Sequence, residues 1–250
     1  LLVENNRLVR MLKQQGYRFI HLNAILGPCV TNRHADVSYE SGVLSVFMQN
    51  LLMTTALRRA AMNFYAGQMR RTMPQSFRTL TAVAAQRDAA PRFIMAHIIS
   101  PHPPYLFDAA GNESSKPSFD WKPQHRYIGQ LQYVSSLFLK LAAHIQLNAA
   151  RPTVIIVQGD HGPGTLFERQ DWSRPSMAQI RERSSILNAC WSTVPFAGFT
   201  DTSSPVNTFR LLAPQLFGCT LPLLPDRTYY TPYNTNEAPF DVTDLVRRVE

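Results

Sequence analysis

Two short runs of apolar residues constrain the fold of this chain more than any other feature of its sequence. Residues 92–99 and 153–157 are almost continuously apolar, whereas a strand with one face in water alternates apolar and polar residues. Between them, residues 127–145 carry apolar side chains at steps of four and three, which predicts a long amphipathic helix. Strand, helix and strand in this order predict an α/β fold, a three-layer α/β/α sandwich with a mostly parallel central sheet. In that sheet, residues 93–98 and 153–157 are expected to be central strands.

The rest of the chain continues this alternation of helices and strands. Gly16 separates a predicted helix from a predicted strand, and Ser204 with Pro205 is typical of a helix start. Pro214 is expected to kink or shorten that helix. The helices are predicted over residues 1–15, 42–73, 205–217 and 242–249, and the further strands over 17–22, 186–189 and 194–199. One domain over residues 1–250 is predicted.

The charge of the chain limits its possible partners. The formal net charge is +8, but the basic residues come in scattered pairs without interleaved aromatic residues, so nucleic acid is not a predicted partner. Phosphate- or sulfate-bearing substrates and an anionic membrane surface fit the charge better. No stretch of eighteen apolar residues could span a membrane. The three cysteines are far apart and indicate buried apolar residues rather than a disulfide framework.

Each apolar run leads into a polar loop that contains histidine. His102 follows the first run, and the adjacent Asp160 and His161 follow the second. Ligands bind beyond the carboxyl ends of strands in open α/β sheets, so these loops are the candidate site. One carboxylate and one imidazole suit Zn²⁺ or Mn²⁺ better than Ca²⁺, and Gly159 and Gly162 are expected to let the backbone turn sharply. The alternative is an Asp-capped turn beside an incidental histidine.

The order of these motifs resembles the alkaline phosphatase superfamily. The motifs are an apolar strand, Ser-Pro-His-Pro-Pro-Tyr at 100–105, an amphipathic helix, a second apolar strand and Gly-Asp-His-Gly at 159–162. The chain is most similar to the sulfatase-like branch that includes lipoteichoic acid synthases and phosphoethanolamine transferases. Residues 182–189, 205–210 and 224–229 are similar to bacterial membrane-anchored members of that branch.

The resemblance implies a metal-dependent hydrolase or transferase that acts on phosphate or sulfate esters through a covalent intermediate. Asp160 and His161 match a late pair of metal ligands, and His102 matches a histidine that faces the transferred group or the leaving group. In such proteins the nucleophilic Thr or Ser and an early acidic ligand precede a segment like residues 13–17. Because the chain begins near that segment, without an initiator Met, it is expected to be a C-terminal portion that lacks the nucleophile.

The resemblance also implies a cofactor, partners and a location. The cofactor is a divalent metal, Zn²⁺ or Mn²⁺ rather than Ca²⁺, and the substrate is an anionic phosphate or sulfate ester, with a lipid or a glycan as possible carriers. A preceding segment would anchor the protein at the extracytoplasmic face of a bacterial cytoplasmic membrane. The competing hypothesis is a non-catalytic remnant of the same fold that serves as a binding module.

Other candidates for chemistry have weaker support. Cys29 to Arg33 is similar to the C-x-P-x-R sulfatase signature, but Thr31 stands where proline belongs and the segment comes too late in the chain. A calcineurin-like phosphoesterase would need D-x-H early and G-H-x-H late, and neither is present. His97 is expected within a buried strand as a core residue. The remaining histidines, His21, His34, His125 and His144, are interpreted as structural or surface residues.

Overall fold

The computed structural model describes residues 4–25, 29–40, 46–167, 175–195, 197–201, 203–232 and 238–247. The chain divides into two compact units. The first comprises Leu1–Asp120 and His125–Asn148, and the second comprises Trp121–Gln124 and Ala149–Glu250. A single domain over residues 1–250 stays a prediction.

A three-stranded parallel sheet organises the first unit. Its elements are α1 (Arg7–Gln14), β1 (Arg18–Leu22), β2 (Val37–Tyr39), α2 (Val46–Met53), α3 (Arg58–Ala85), β3 (Arg92–Ala96), β4 (Tyr105–Phe107), β5 (Glu113–Ser118) and α4 (Gln124–Asn148). The strand order is β2-β1-β3, and β4 and β5 form a separate antiparallel pair. Parallel strands joined by helices confirm the predicted α/β class.

The predicted helix before the sheet forms, although it is shorter than expected. The Asn6 side chain accepts a hydrogen bond from the Leu8 amide, and α1 therefore begins at Arg7. Gly16 follows with φ of 81°, a conformation that favours glycine, and the chain passes into β1. Residues 1–3 of the predicted helix lie outside the described residues.

The core of the first unit lies between α3, α4 and the β4 strand. Met69, Met73 and Phe77 of α3 are buried together with Leu106 and Leu141. Val134, Phe138 and Ile145 pack against this cluster, which confirms the predicted apolar face of α4. The α3 helix continues past Pro74 to Ala85, beyond the predicted end at residue 73. Burial of the apolar residues on both sides of the proline outweighs the one helical hydrogen bond that proline cannot donate.

The prediction that residues 93–98 form a central strand is wrong for the sheet described here. The central strand is β1, which pairs with β2 on one side and with β3 on the other. Four of its five residues are buried, whereas the side chains of β3 are half-buried and the strand ends at Ala96. Ile98 and Ile99 pack against the core outside the strand. The apolar run therefore reports burial of the segment, but only its first half is extended.

The second unit combines short antiparallel pairs with three helices. Its elements are β6 (Val154–Gln158), α5 (Met177–Ser184), β7 (Asn188–Ser192), α6 (Pro205–Phe217), β8 (Tyr229–Tyr230), β9 (Phe240–Asp241) and α7 (Thr243–Arg247). The strongly apolar β6 pairs with β7 in the antiparallel direction, so a parallel central position for residues 153–157 is not found within this unit. The core consists of Phe167, Ile180, Tyr230 and Val242.

The ends of α6 agree with the sequence prediction, but its interior does not. It begins at Pro205 and ends before Gly218, whose φ is 63°. Pro214 lies inside the helix without ending it. Of the predicted strand at residues 194–199, the described residues form no strand. No helix in the described ranges is long and apolar enough to cross a membrane.

Candidate metal-binding site

The Asp160 and His161 side chains lie on a tight loop directly after β6. The Gly159 amide donates to the Leu187 carbonyl oxygen at 2.8 Å, so the loop begins as a continuation of the β6–β7 pair. The His161 amide then donates to Asp160 Oδ1 at 3.0 Å. This bond turns the carboxylate towards its own backbone and leaves Oδ2 for other contacts. One backbone hydrogen bond and one hydrogen bond to a side chain therefore fix the conformation of the loop.

The His161 ring is oriented by the carbonyl group of the next residue. Its Nδ1 lies 3.0 Å from the Gly162 carbonyl oxygen. Because a carbonyl oxygen can only accept, this contact requires a proton on Nδ1, and the neutral ring then carries its lone pair on Nε2. Backbone carbonyls commonly orient metal-binding histidines in this way.

The distance between the two candidate ligand atoms fits a metal ion. His161 Nε2 lies 3.4 Å from Asp160 Oδ2. Two ligands at about 2.1 Å from a tetrahedral ion are separated by about 3.4 Å. The Asp160 side chain is 81% exposed and that of His161 is 35% exposed, so both can be reached from solvent. The pair can therefore supply one oxygen and one nitrogen ligand to the same ion.

The neighbouring α5 helix anchors this loop through contacts that no pattern in the sequence predicted. Gly162 donates to the Arg183 carbonyl oxygen at 2.7 Å, and an Arg183 guanidinium nitrogen donates back to the Gly162 carbonyl oxygen at 2.8 Å. The Glu182 carboxylate accepts three hydrogen bonds. They come from the Thr165 amide, the Thr165 hydroxyl and the Leu166 amide. The guanidinium of Arg183 also lies over the Trp121 ring, 5.7 Å from its centre. The Arg183 side chain therefore stabilises the loop through these contacts and is not assigned to anion binding.

The two glycines beside the Asp-His pair differ in function. Neither adopts a positive φ. At Gly162, a Cβ atom would come within 2.0 Å of the Glu182 carbonyl oxygen and 2.6 Å of the Ser185 carbonyl oxygen. At Gly159, the nearest atom would be 3.7 Å away. That the two glycines let the backbone turn sharply stays a prediction, and Gly162 is required because the loop backbone lies directly against the end of α5.

His102 lies on an exposed loop of the first unit that a buried glutamine holds in place. Gln130 of α4 is only 2% exposed. Its oxygen accepts from the Leu106 amide at 2.7 Å, and its nitrogen donates to the His102 carbonyl oxygen at 3.2 Å. The His102 ring nitrogen Nδ1 lies 2.5 Å from the Pro103 carbonyl oxygen. Gln130 interrupts the apolar face of the predicted amphipathic helix, four residues before Val134, and no local pattern marks it as a loop anchor.

The minor candidates from the sequence behave mostly as structural groups. Cys29 is buried, and its burial raises the pKa of the thiol, which is unfavourable for a nucleophile. His21 is buried and contacts Asn23 Oδ1 through Nδ1 at 2.7 Å, as expected of a structural residue. His97 differs from the prediction, because it lies just after β3 and is exposed rather than buried within the strand.

The described residues contain no group of three or more histidine, cysteine or acidic side chains that could hold a metal. His102 belongs to the first unit, whereas Asp160 and His161 belong to the second. That the three share one cleft stays a prediction.

Comparison with known proteins supports the resemblance drawn from the motifs. A family model described as Sulfatase matches residues 3–179, which is more than half of the chain and includes both histidine loops. This match confirms the relationship to the alkaline phosphatase superfamily. Neither a curated protein sequence nor a solved structure matches the chain.

Proposed function

Because the chain belongs to the Sulfatase family, we propose that it contributes two metal ligands, Asp160 and His161, to a hydrolase or transferase of sulfate or phosphate esters. Family membership by itself supports an enzyme that acts on sulfate or phosphate esters, and members of the family generally use divalent metals. The observation that supports the assigned ligands is the 3.4 Å separation of His161 Nε2 and Asp160 Oδ2. The ion is proposed to be Zn²⁺ or Mn²⁺ rather than Ca²⁺, because one ligand is an imidazole nitrogen.

The proposal gives the residues of the Asp-His loop distinct tasks. Asp160 Oδ2 and His161 Nε2 bind the ion, and the Gly162 carbonyl keeps the proton on His161 Nδ1. A bound ion would polarise the ester oxygen and lower the pKa of a nucleophilic hydroxyl. Zinc sites normally use three or four protein ligands, so further ligands must come from elsewhere in the protein.

His102 is proposed to contact the group that is transferred. The contact of His102 Nδ1 with the Pro103 carbonyl oxygen orients the ring, whose second nitrogen is Nε2. Such a nitrogen can donate a hydrogen bond to an ester oxygen when protonated, at the point where negative charge moves towards the leaving group. We propose that a Thr or Ser hydroxyl attacks the ester and forms the covalent intermediate. We also propose that the substrate is an ester of a lipid or a glycan. The proposed location is extracytoplasmic, with the protein anchored to a membrane.

Metal binding and turnover test the proposal together. The whole protein should hydrolyse a chromogenic phosphate or sulfate ester with Zn²⁺ or Mn²⁺, and Asp160→Asn or His161→Gln should lower both turnover and metal affinity. His125→Gln, which changes an exposed histidine of α4, is the matched control and should change neither.

Three outcomes would contradict this assignment. Unchanged metal affinity in both site variants would remove Asp160 and His161 from the ligand set. Turnover that Cys29→Ala abolishes would show that the nucleophile is Cys29 rather than a Thr or Ser hydroxyl. If the whole protein binds no metal and turns over no ester, the competing hypothesis of a non-catalytic binding module is supported instead.

A further inference from the structure

The corner between α2 and α3 exposes an unusual number of large apolar side chains. Phe47 is 74% exposed and Leu57 is 58% exposed, and Leu51 and Phe64 are each a little under half exposed. Single exposed apolar residues are ordinary on a protein surface. Together with Met48, five large ones are exposed within residues 47–64, on two consecutive helices and their connection, and they mark a surface that contacts something apolar.

The exposed side chains lie on the outer side of this corner. Phe47 and Leu51 are one helical turn apart and so share a face of α2. Met53, on another face of the same helix, packs against the core cluster that contains Tyr65 and Met69. The connection is held by hydrogen bonds from the Thr54 and Thr55 hydroxyls to carbonyl oxygens of α2. The corner is therefore anchored on its inner side while its apolar face points away from the core.

The charge around this corner has a single sign. Residues 46–64, which form the corner, contain two arginines and no aspartate, glutamate or lysine. Arg58 and Arg59 are exposed and lie directly beside Leu57 at the start of α3. Apolar side chains next to arginines, without acidic residues, are the composition of helices that lie in the interface of an anionic membrane.

We propose that the α2–α3 corner docks the protein on an anionic phospholipid bilayer. Phe47, Leu51 and Leu57 enter the headgroup region, and Arg58 and Arg59 contact lipid phosphates. A second copy of the chain fits this surface less well, because a symmetric contact would bring the arginines of both copies together. The net charge of +8 adds repulsion between copies and attraction to an anionic bilayer. This inference does not depend on the proposed esterase chemistry.

Vesicle sedimentation with the 250-residue chain tests the proposal. The chain should bind vesicles that contain phosphatidylglycerol, bind pure phosphatidylcholine vesicles weakly, and lose binding as the salt concentration rises. Arg58→Gln and Arg59→Gln should each lower the partition coefficient about fivefold. The double change Phe47→Ser with Leu51→Ser should lower it on the order of tenfold or more.

A matched control separates this corner from exposed apolar residues in general. Leu147 at the end of α4 is 86% exposed, and Leu147→Ser should leave binding unchanged. Circular dichroism melting of each variant shows whether it is folded. Absence of binding to anionic vesicles, or an equal loss in Leu147→Ser, would overturn the proposal. Self-association that the double change removes, without vesicle binding, would assign the corner to a protein contact and overturn it as well.

Discussion

Replacing Gly162 by alanine should destabilise the second unit, whereas the same change at Gly159 should not. A Cβ at position 162 would lie 2.0 Å from the Glu182 carbonyl oxygen. The backbone fixes the position of the Cβ, and the oxygen is itself a backbone atom, so neither can rotate aside. To reach ordinary contact, the loop must move away from α5 by more than an ångström. That movement breaks the 2.7 Å hydrogen bond from the Gly162 amide to the Arg183 carbonyl.

The expected cost follows from these two effects. Overpacking against an immobile neighbour costs about 1–3 kcal/mol, and loss of a backbone hydrogen bond adds about 1 kcal/mol. The free energy of unfolding of the second unit should therefore fall by about 2–4 kcal/mol in Gly162→Ala. At Gly159 the nearest atom to a new Cβ is 3.7 Å away, and alanine restricts the unfolded chain, so the change should be neutral or stabilising by up to about 1 kcal/mol.

Tryptophan fluorescence during urea unfolding measures this effect selectively. All three tryptophans, at positions 121, 172 and 191, fall in the part of the chain that forms the second unit. Titration with Zn²⁺ should in addition show weaker binding to Gly162→Ala than to Gly159→Ala, because the displaced loop carries His161. Equal stability of the two variants, or a larger loss in Gly159→Ala, would refute the packing of the loop against α5.

Three further predictions concern the first unit. Gly67→Ala, inside α3 with no atom within 4 Å of a new Cβ, should raise the unfolding free energy by about 0.5–1 kcal/mol in thermal or urea unfolding followed by circular dichroism. Burial of His21 lowers its pKa, with the nearby His97 acting in the same direction and the Asn23 bond opposing both. In this pH range the unfolded state binds a proton at His21 more readily than the folded state does. The free energy of unfolding should therefore fall as the pH drops below about 6.5, and it should fall less in His21→Gln. Gln130→Met should lower the free energy of unfolding by about 2 kcal/mol, because the buried Leu106 amide loses its hydrogen-bond acceptor. Hydrogen exchange at the Leu106 amide should become faster. An unchanged exchange rate would show that the glutamine does not hold the His102 loop.

Local patterns in the sequence determined the types of most elements and the position of the candidate ligands. The apolar spacing of α4, the glycine ends of α1 and α6 and the extended residues before Asp160 depend on neighbours within a few positions, so they could be predicted. The adjacent Asp160 and His161 could be recognised as candidate ligands for the same reason, because one loop after one strand carries both.

Tertiary contacts determined the strand order and the residues that support the two histidine loops, and no local sequence pattern predicts either. An apolar run indicates burial but not the pairing partner, and this is why β1 rather than β3 is the central strand of the first unit's sheet. Gln130 and Arg183 look like ordinary polar residues of helices, and only contacts to segments more than twenty residues away make them supports of the histidine loops. The same holds for Gly162, whose lack of a side chain matters only because α5 ends against it.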